Sequence, residues 1–168
     1  MKRLIPIVLL LVGGIAHAEE PITGAFGQAL SDVANGSLRN RQNQDGYFRY
    51  RFTPKTPVTP FKYYYVDVTP VKELVFLIMA QAFVGVEGCT ASYNAFKKTL
   101  NRKYGASVTS ETSGGTRRAT WRRKKGGKDF RQIALWCSSD YIALTYKDYF
   151  VEEGMADELS AETESGNL

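Results

Sequence analysis

Arg117, Arg118, Arg122 and Arg123 stand with Trp121, Lys124, Lys125 and Lys128 in a run that reads TRRATWRRKKGGKDF. A guanidinium offers a planar fork of donors that grips a carboxylate or phosphate through two parallel hydrogen bonds. An indole adds a face for stacking or an anchor at an interface. The density of arginine rather than lysine marks these eight residues as a candidate anion site. Charge is concentrated around them. Residues 102 to 131 hold ten cations, the other three being Arg102, Lys103 and Arg131, against two acids, Glu111 and Asp129. If 116–125 is a strand, Arg118, Arg122 and Lys124 point one way and Arg117, Arg123 and Lys125 the other. Neither face is then buried along its length, which predicts an edge strand or a projecting arm with Trp121 exposed. The plainer role for such a strand is a guarded edge, since charge keeps one sheet from adding to another. A phosphate-cradling P-loop is excluded. Gly127-Lys128 is followed by Asp129, and the earlier glycine position is Arg122.

Other chemistries have thinner support. The single histidine, His17, lies in a segment read below as removable, which takes away Ser-His-Asp and Cys-His catalysis and imidazole metal ligands. Carboxylates can hydrolyse glycosides without histidine. The candidates Asp67, Glu73, Glu87 and Asp148 show no spacing that selects a pair. No catalytic residue, cofactor or metal is expected. Cys89 and Cys137 are the only cysteines, and neither belongs to a C-x-x-C pair. In an oxidising compartment they are expected to form a disulfide, which contributes roughly 4 kcal/mol through loop-closure entropy.

That compartment is implied by residues 1–18, MKRLIPIVLLLVGGIAHA. Lys2 and Arg3 supply a positive start, Leu4 to Val12 an apolar stretch too short to span a bilayer, and Ala16-His17-Ala18 a small-x-small cleavage site. The expectation is a signal peptide and a mature chain, periplasmic or secreted, beginning near Glu19.

The elements that must position these residues follow from hydrophobic period. YFRYRFT (47–53) alternates Phe48, Tyr50 and Phe52 against Tyr47, Arg49 and Arg51, a half-buried strand. The proline-rich TPKTPVTP predicts an extended loop. FKYYYVDV (61–68) predicts a second strand, with Tyr64 on the opposite face from its neighbours Tyr63 and Tyr65, one face for the core and one for the surface. ELVFLIMAQAF (73–83) is apolar at both parities, as in a central strand covered on both sides or on one side by a helix. TASYNAFKKTLNRKYG places Tyr93, Phe96, Leu100 and Tyr104 on one helical stripe, with Thr90 or Ser92 as N-cap and Gly105 as the stop. A polar strand candidate covers 106–112. DFRQIALWC turns Arg131, Ile133, Leu135 and Cys137 to one face, and YIALTYKDY turns Ile142, Leu144 and Tyr146 the same way, with Ser-Ser-Asp as the hairpin turn. The fold class is α+β: a mostly antiparallel sheet with one main helix and one disulfide. The expected organisation is a signal peptide (1–18), an irregular N-terminal segment (19–46), the α+β domain (47–150) and an acidic, disordered tail (151–168). That tail has six acids and no cation, and its Glu152, Glu153, Asp157 and Glu158 could fold back on the basic arm.

The order of features resembles a loose group of small exported bacterial proteins of unknown function. The residues that carry the likeness are Phe26-Gly27, Val68-Thr69-Pro70, a helix opened by Cys89 and closed by Lys103-Tyr104-Gly105, a strand ending in Cys137, and Leu144-Thr145-Tyr146 with Asp148. Ala29-Leu30-Ser31 stands where the group has Leu-Gly. The resemblance implies a disulfide-tied α+β domain and no particular activity.

Taken together, the residues predict a small exported non-enzymatic domain that binds an anionic envelope partner through 117–128. Lipid phosphate and acidic glycan are the leading partners, and DNA ranks below them. The alternative is a periplasmic protein-interaction module of inhibitor or immunity type. Its protein partner would sit on 54–60 or 22–46, and the basic arm would be only a solvated edge.

Overall fold

A computed structural model of the chain describes residues 39–54 and 57–165. The signal-peptide segment and residues 19–38 lie outside the described residues, as does the end of the tail at 166–168. Eight strands form one sheet: β1 (Arg39–Gln44), β2 (Tyr47–Phe52), β3 (Tyr63–Val68), β4 (Val75–Phe83), β5 (Thr109–Ser113), β6 (Thr116–Lys125), β7 (Lys128–Ser138) and β8 (Tyr141–Asp148). Helix α1 (Gly85–Tyr104) follows β4, and helix α2 (Tyr149–Ser165) follows β8. The order across the sheet is β1-β2-β3-β4-β8-β7-β6-β5. All neighbours are antiparallel. Two four-stranded meanders therefore meet at β4 and β8. Helix α1 carries the chain from the middle of the sheet to its far edge, and so it must cross β8, β7 and β6, the strands it packs on.

The core lies under α1. The strands' alternation turns Ile78, Ala80 and Ala82 of β4, Ile142 and Leu144 of β8, Ile133, Leu135 and Cys137 of β7, and Ala119 and Trp121 of β6 to that side, all buried. From α1, Cys89, Tyr93 and Leu100 are buried against them, with Phe96 and Tyr104 half-buried beside the same cluster. The helical stripe and both inward strand sets thus agree with the pattern in the sequence. So does the disulfide, Cys89–Cys137, which bridges Cα atoms 5.6 Å apart across 48 residues. It pins the first turns of α1 to the core face of β7. Strand β4 is buried on its core face and half-buried on the other, where Leu77, Met79 and Gln81 stand.

Four expectations need correction. The tail is not disordered over its described length, because 149–165 is helix α2. Asp148 caps it, accepting from the amides of Phe150 (3.1 Å) and Val151 (3.3 Å). Phe150 stacks on Phe130 with ring centroids 6.2 Å apart, and Glu158 is buried against the β3–β4 turn. The fold accordingly has two helices rather than one. The N-terminal segment is not irregular up to 46: β1 pairs with β2 through the two-residue Asp45-Gly46 turn, Gly46 taking φ +85°. Its sequence, RNRQNQ, lacks apolar alternation because an edge strand exposed on both faces needs none. Lastly, α1 begins at Gly85, ahead of Thr90 and Ser92, with Val84 at the N-cap and no side-chain cap. The entry is held instead by the Val84 amide, which donates to Asp140 O at 2.7 Å.

Candidate functional site

The structure separates the predicted anion-binding residues into a base and a tip. Strand β6 spans both. Its outer neighbour, β5, pairs with Thr116 to Thr120 only, whereas β7 pairs with it from Thr116 to Lys125. Where β6 has two neighbours, Ala119 and Thr120 are buried, and Trp121 just beyond them is 1% exposed. So β6 is no edge along its first half, and Trp121 has no face free for a ligand. The expectation of an exposed arm fails here for a physical reason. Long cationic side chains on either side of a buried stretch can lie along the surface while their backbone is covered. Arg117 faces the α1 side, opposite Cys137 in register and close enough to Tyr93 to oppose the rise that burial imposes on that phenol's pKa. Arg118 faces the other side, its guanidinium 5.5 Å from the centre of the Trp136 ring.

Trp121 acts as a clamp. Its indole N–H donates to Asn101 Oδ1 at 3.0 Å and to the carbonyl of Gly105 at 3.1 Å. A helix leaves its last carbonyls without intrahelical partners, and this contact supplies a donor just beyond the end of α1. Gly105, at φ +84°, turns the chain out of the helix there. The last turn of α1, with exposed Arg102 and Lys103, is thereby fixed beside the point where β6 emerges from under its neighbour. Two parts of the basic stretch, well separated in sequence, become one surface. Ala119-x-Trp121 at the parity of the core was the signal for this in the sequence.

Beyond Trp121 the chain is open. Arg122, Arg123, Lys124, Lys125 and Lys128 are all exposed, around the turn at Gly126-Gly127 that the sequence led one to expect. Both glycines take positive φ, 60° and 81°, the conformation a two-residue hairpin turn requires. Asp129 is the one acid of the tip, and it pairs with Arg122 at 3.1 Å. Its other oxygen, Oδ1, is buried with no hydrogen-bond partner among the described residues. Across the hairpin, Arg123 stands opposite Arg131 and Lys125 opposite Lys128. Arg131 is drawn toward Asp148 at 3.2 Å. Among the described residues Arg123, Lys124, Lys125 and Lys128 have no ion-pair partner.

Two of the acids of α2 are engaged elsewhere. Glu152 pairs with Lys147 at 2.6 Å. Glu158 accepts from Thr69 Oγ1 at 3.1 Å and from the Lys72 amide at 3.2 Å. Neither folds back on the tip. A cavity of about 540 Å³ opens between α2 and the β3–β4 turn, lined by Val71, Leu74, Phe150, Val151 and Asp157 among others. It contains none of the predicted site residues.

The four candidate carboxylates are dispersed. Asp67 is buried and held by Arg49 through two hydrogen bonds, 2.7 and 2.8 Å. Burial pushes its carboxyl above the ordinary aspartate value, against the pull of Arg49 and Lys147, while the contact with Asp67 raises the pKa of Arg49. Glu73 accepts from the Tyr50 hydroxyl at 2.7 Å. Asp148 caps α2, and Glu87 is exposed in the first turn of α1. The structure brings no two of them together as an acid–base pair. Among the described residues no cluster of His, Cys, Asp and Glu could hold a metal ion, and no helix is long and apolar enough to cross a membrane. Comparison of the chain with known protein families, with curated proteins and with solved structures finds no match.

Proposed function

We propose that this chain is a small exported, non-enzymatic domain that engages an anionic envelope partner through the tip of the β6–β7 hairpin, Arg122 to Lys128. The observation that carries the reading is the company the tip keeps. Five exposed cations crowd a two-strand ribbon with a single acid, on a scaffold that the disulfide and the Trp121 clamp hold in place. Charges so placed raise the local concentration of an anion and favour its capture at low salt. The ligand set is narrower than the eight residues of the basic run. Trp121 is structural, Arg117 is half-buried, and Arg118, though exposed, lies over the Trp136 ring on the length of β6 that β5 flanks. A disulfide fits an oxidising compartment, in which lipid phosphates, acidic glycans and acidic protein surfaces are the available anions.

The test mixes the oxidised protein with phosphatidylglycerol vesicles, lipopolysaccharide and duplex DNA at two salt concentrations. A variant with Arg122, Arg123, Lys124 and Lys125 changed to Gln runs beside it. Binding that salt weakens and the variant loses supports the proposal. If both proteins ignore every anion, the tip is a guarded edge and the proposal fails.

One observation favours the second reading, a protein-interaction module. At the end of the sheet away from the tip, Phe83 and Val86 are 61% and 67% exposed, and Phe83 packs on Tyr141 with ring centroids 5.6 Å apart. A partner bound there would depend little on salt and would be lost in Phe83→Ser, with the tip variant binding normally.

A further inference from the structure

We infer that the anionic partner is an extended acidic polypeptide segment, which binds by adding a strand to the outer edge of β6 at Trp121 to Lys125. The inference rests on the reading of the tip as an anion site and deepens it. Strand β6 runs five residues past the last residue that β5 pairs with. The Val108 amide donates to Thr120 O at 2.8 Å, so the backbone groups of Thr120 point outward, away from β7. Because these groups alternate along a strand, Arg122 and Lys124 turn their N–H and C=O groups to the same outer side. The hairpin's irregularity does not disturb this order. Asp129 and Arg131 pair with Lys124 and Arg123, so the extra residue, Phe130, is on β7. Among the described residues β5 is the only strand on that side, and its pairing has ended.

An open edge of this kind takes water or another strand. The side chains decide which strand. Arg122 and Lys124 stand on one face, Arg123 and Lys125 on the other, and all four are exposed. A strand laid along this edge therefore meets cations on both of its faces, at successive residues. An amphipathic strand matches one face and mismatches the other, whereas consecutive carboxylates complement both. A second copy of the same tip is repelled by like charge. The alternatives fit less of the surface. A bilayer rewards aromatic side chains at its interface, and the one aromatic of this stretch, Trp121, is buried. A glycan or nucleic acid can meet the cations but has no amide ladder to offer the backbone.

The probes are a capped peptide of five consecutive glutamates between glycines, and the same peptide N-methylated at every glutamate. Their charge is equal, but only the first can complete a ladder. Titrated into the full oxidised protein at low salt, the first should bind and the second should bind about tenfold more weakly, the effect of losing one or two net hydrogen bonds. On the protein side, Lys124→Pro is compared with Lys124→Gln. Both remove one charge, and only proline also removes an outward N–H, a change that edge strands tolerate. Lys124→Pro should bind the unmodified peptide several-fold more weakly than Lys124→Gln. Both should bind phosphatidylglycerol vesicles alike, and thermal melts should show both folded. Equal affinity for the two peptides overturns strand addition and leaves the anion site standing. Vesicle, lipopolysaccharide or DNA binding without peptide binding does the same. Silence toward every anion overturns both.

Discussion

Strand β6 carries two arginine pairs, Arg117-Arg118 and Arg122-Arg123, alike in composition. The first pair lies where β6 is flanked by β5 and β7, with Arg117 half-buried near Tyr93 and Arg118 exposed but lying over the Trp136 ring. The second lies past the end of β5, exposed, with β7 alone for a neighbour. The residue types do not separate them; the neighbours do. What a cation on a strand is for depends on whether the sheet continues beside it, and here it stops at Thr120. Trp121 stands at that boundary, packed inward and bonded to the end of α1.

The boundary can be broken at its strongest point. Trp121→Ala removes a fully buried indole and both of its hydrogen bonds, and should destabilise the fold by about 4 kcal/mol, in the range of large core truncations. Denaturant unfolding followed by circular dichroism reads this directly. Under conditions where the variant is still folded, its affinity for anions should be unchanged. A stacking ligand would give the reverse result, an affinity loss at native stability, and would erase the distinction between base and tip.

A second contrast sets Arg49 against Arg122. Both pair with an aspartate, but Arg49 is 24% exposed and its Asp67 1%, while Arg122 and Asp129 are 46% and 27% exposed. Breaking a buried pair strands a charge, whereas breaking an exposed one costs almost nothing. Arg49→Ala should therefore cost about 3 kcal/mol near neutral pH, and Arg122→Gln less than about 0.5 kcal/mol. The Arg49→Ala deficit should also depend on pH. Burial already pushes the Asp67 carboxyl upward, and removing Arg49 leaves that push less opposed. Below the ordinary value of 3.8 the carboxyl is protonated in both folded and unfolded chains, so the deficit is smallest there. As pH rises through 3.8 the unfolded chain releases its proton while the folded chain holds on. Both proteins lose stability at first, since the carboxyl is raised in each. The deficit opens where the wild-type carboxyl has ionised and the variant's, raised further, has not, and above the variant's value it is complete. A deficit that stays flat with pH would sink this account of the pair.

These contrasts also show what could be read from the sequence. Alternation in 133–137 and 142–146 and the helical stripe from Tyr93 to Tyr104 located the core, because a face that packs on one layer imposes its period on the residues. Cys89 and Cys137 fell on facing elements for the same reason. Strands β1 and β5, RNRQNQ and TSETS, bury almost nothing and so carry no period. The polar candidate at 106–112 does overlap β5 (Thr109–Ser113), but without a period nothing in it assigns it to the outer side of β6, and β6 then reads as an edge throughout with Trp121 exposed. Helix α2 was hidden by composition: six acids without a cation suggest disorder. Yet Asp148 before Phe150-Val151 is a capping signal, and Glu152 suits the positive end of a helix dipole. Of the candidate site, the cations of the tip and the Gly126-Gly127 turn were legible. The closure of the base was not, since it depends on a strand and a helix end brought in from residues 101 to 113.

The clamp itself admits a finer cut than truncation. Trp121→Phe keeps a ring in the pocket and removes the N–H, leaving Asn101 Oδ1 and the Gly105 carbonyl without that donor. The expected cost is about 1–2 kcal/mol, with faster amide exchange in the last turn of α1 than elsewhere in the helix. Uniform exchange along α1 would mean that the indole fills space and holds nothing.

The smallest expected effect is the most informative about the tip. Changing Arg122, Arg123, Lys124 and Lys125 to Gln together should move stability by no more than about 0.5 kcal/mol, as surface substitutions do. The direction should be upward. Lys125 faces Lys128, and Arg123 faces Arg131, and like charges opposite each other in an antiparallel pair are unfavourable. The same variant should flatten the salt dependence of anion binding, for DNA by roughly 0.9 in log–log slope for each phosphate that the tip no longer neutralises. A fold that gains slightly in stability while losing its ligand is one whose tip charges are held against the interest of the folded state. A destabilisation of more than about 1 kcal/mol would instead mark the cations as part of the scaffold, and β6 would be one region rather than two.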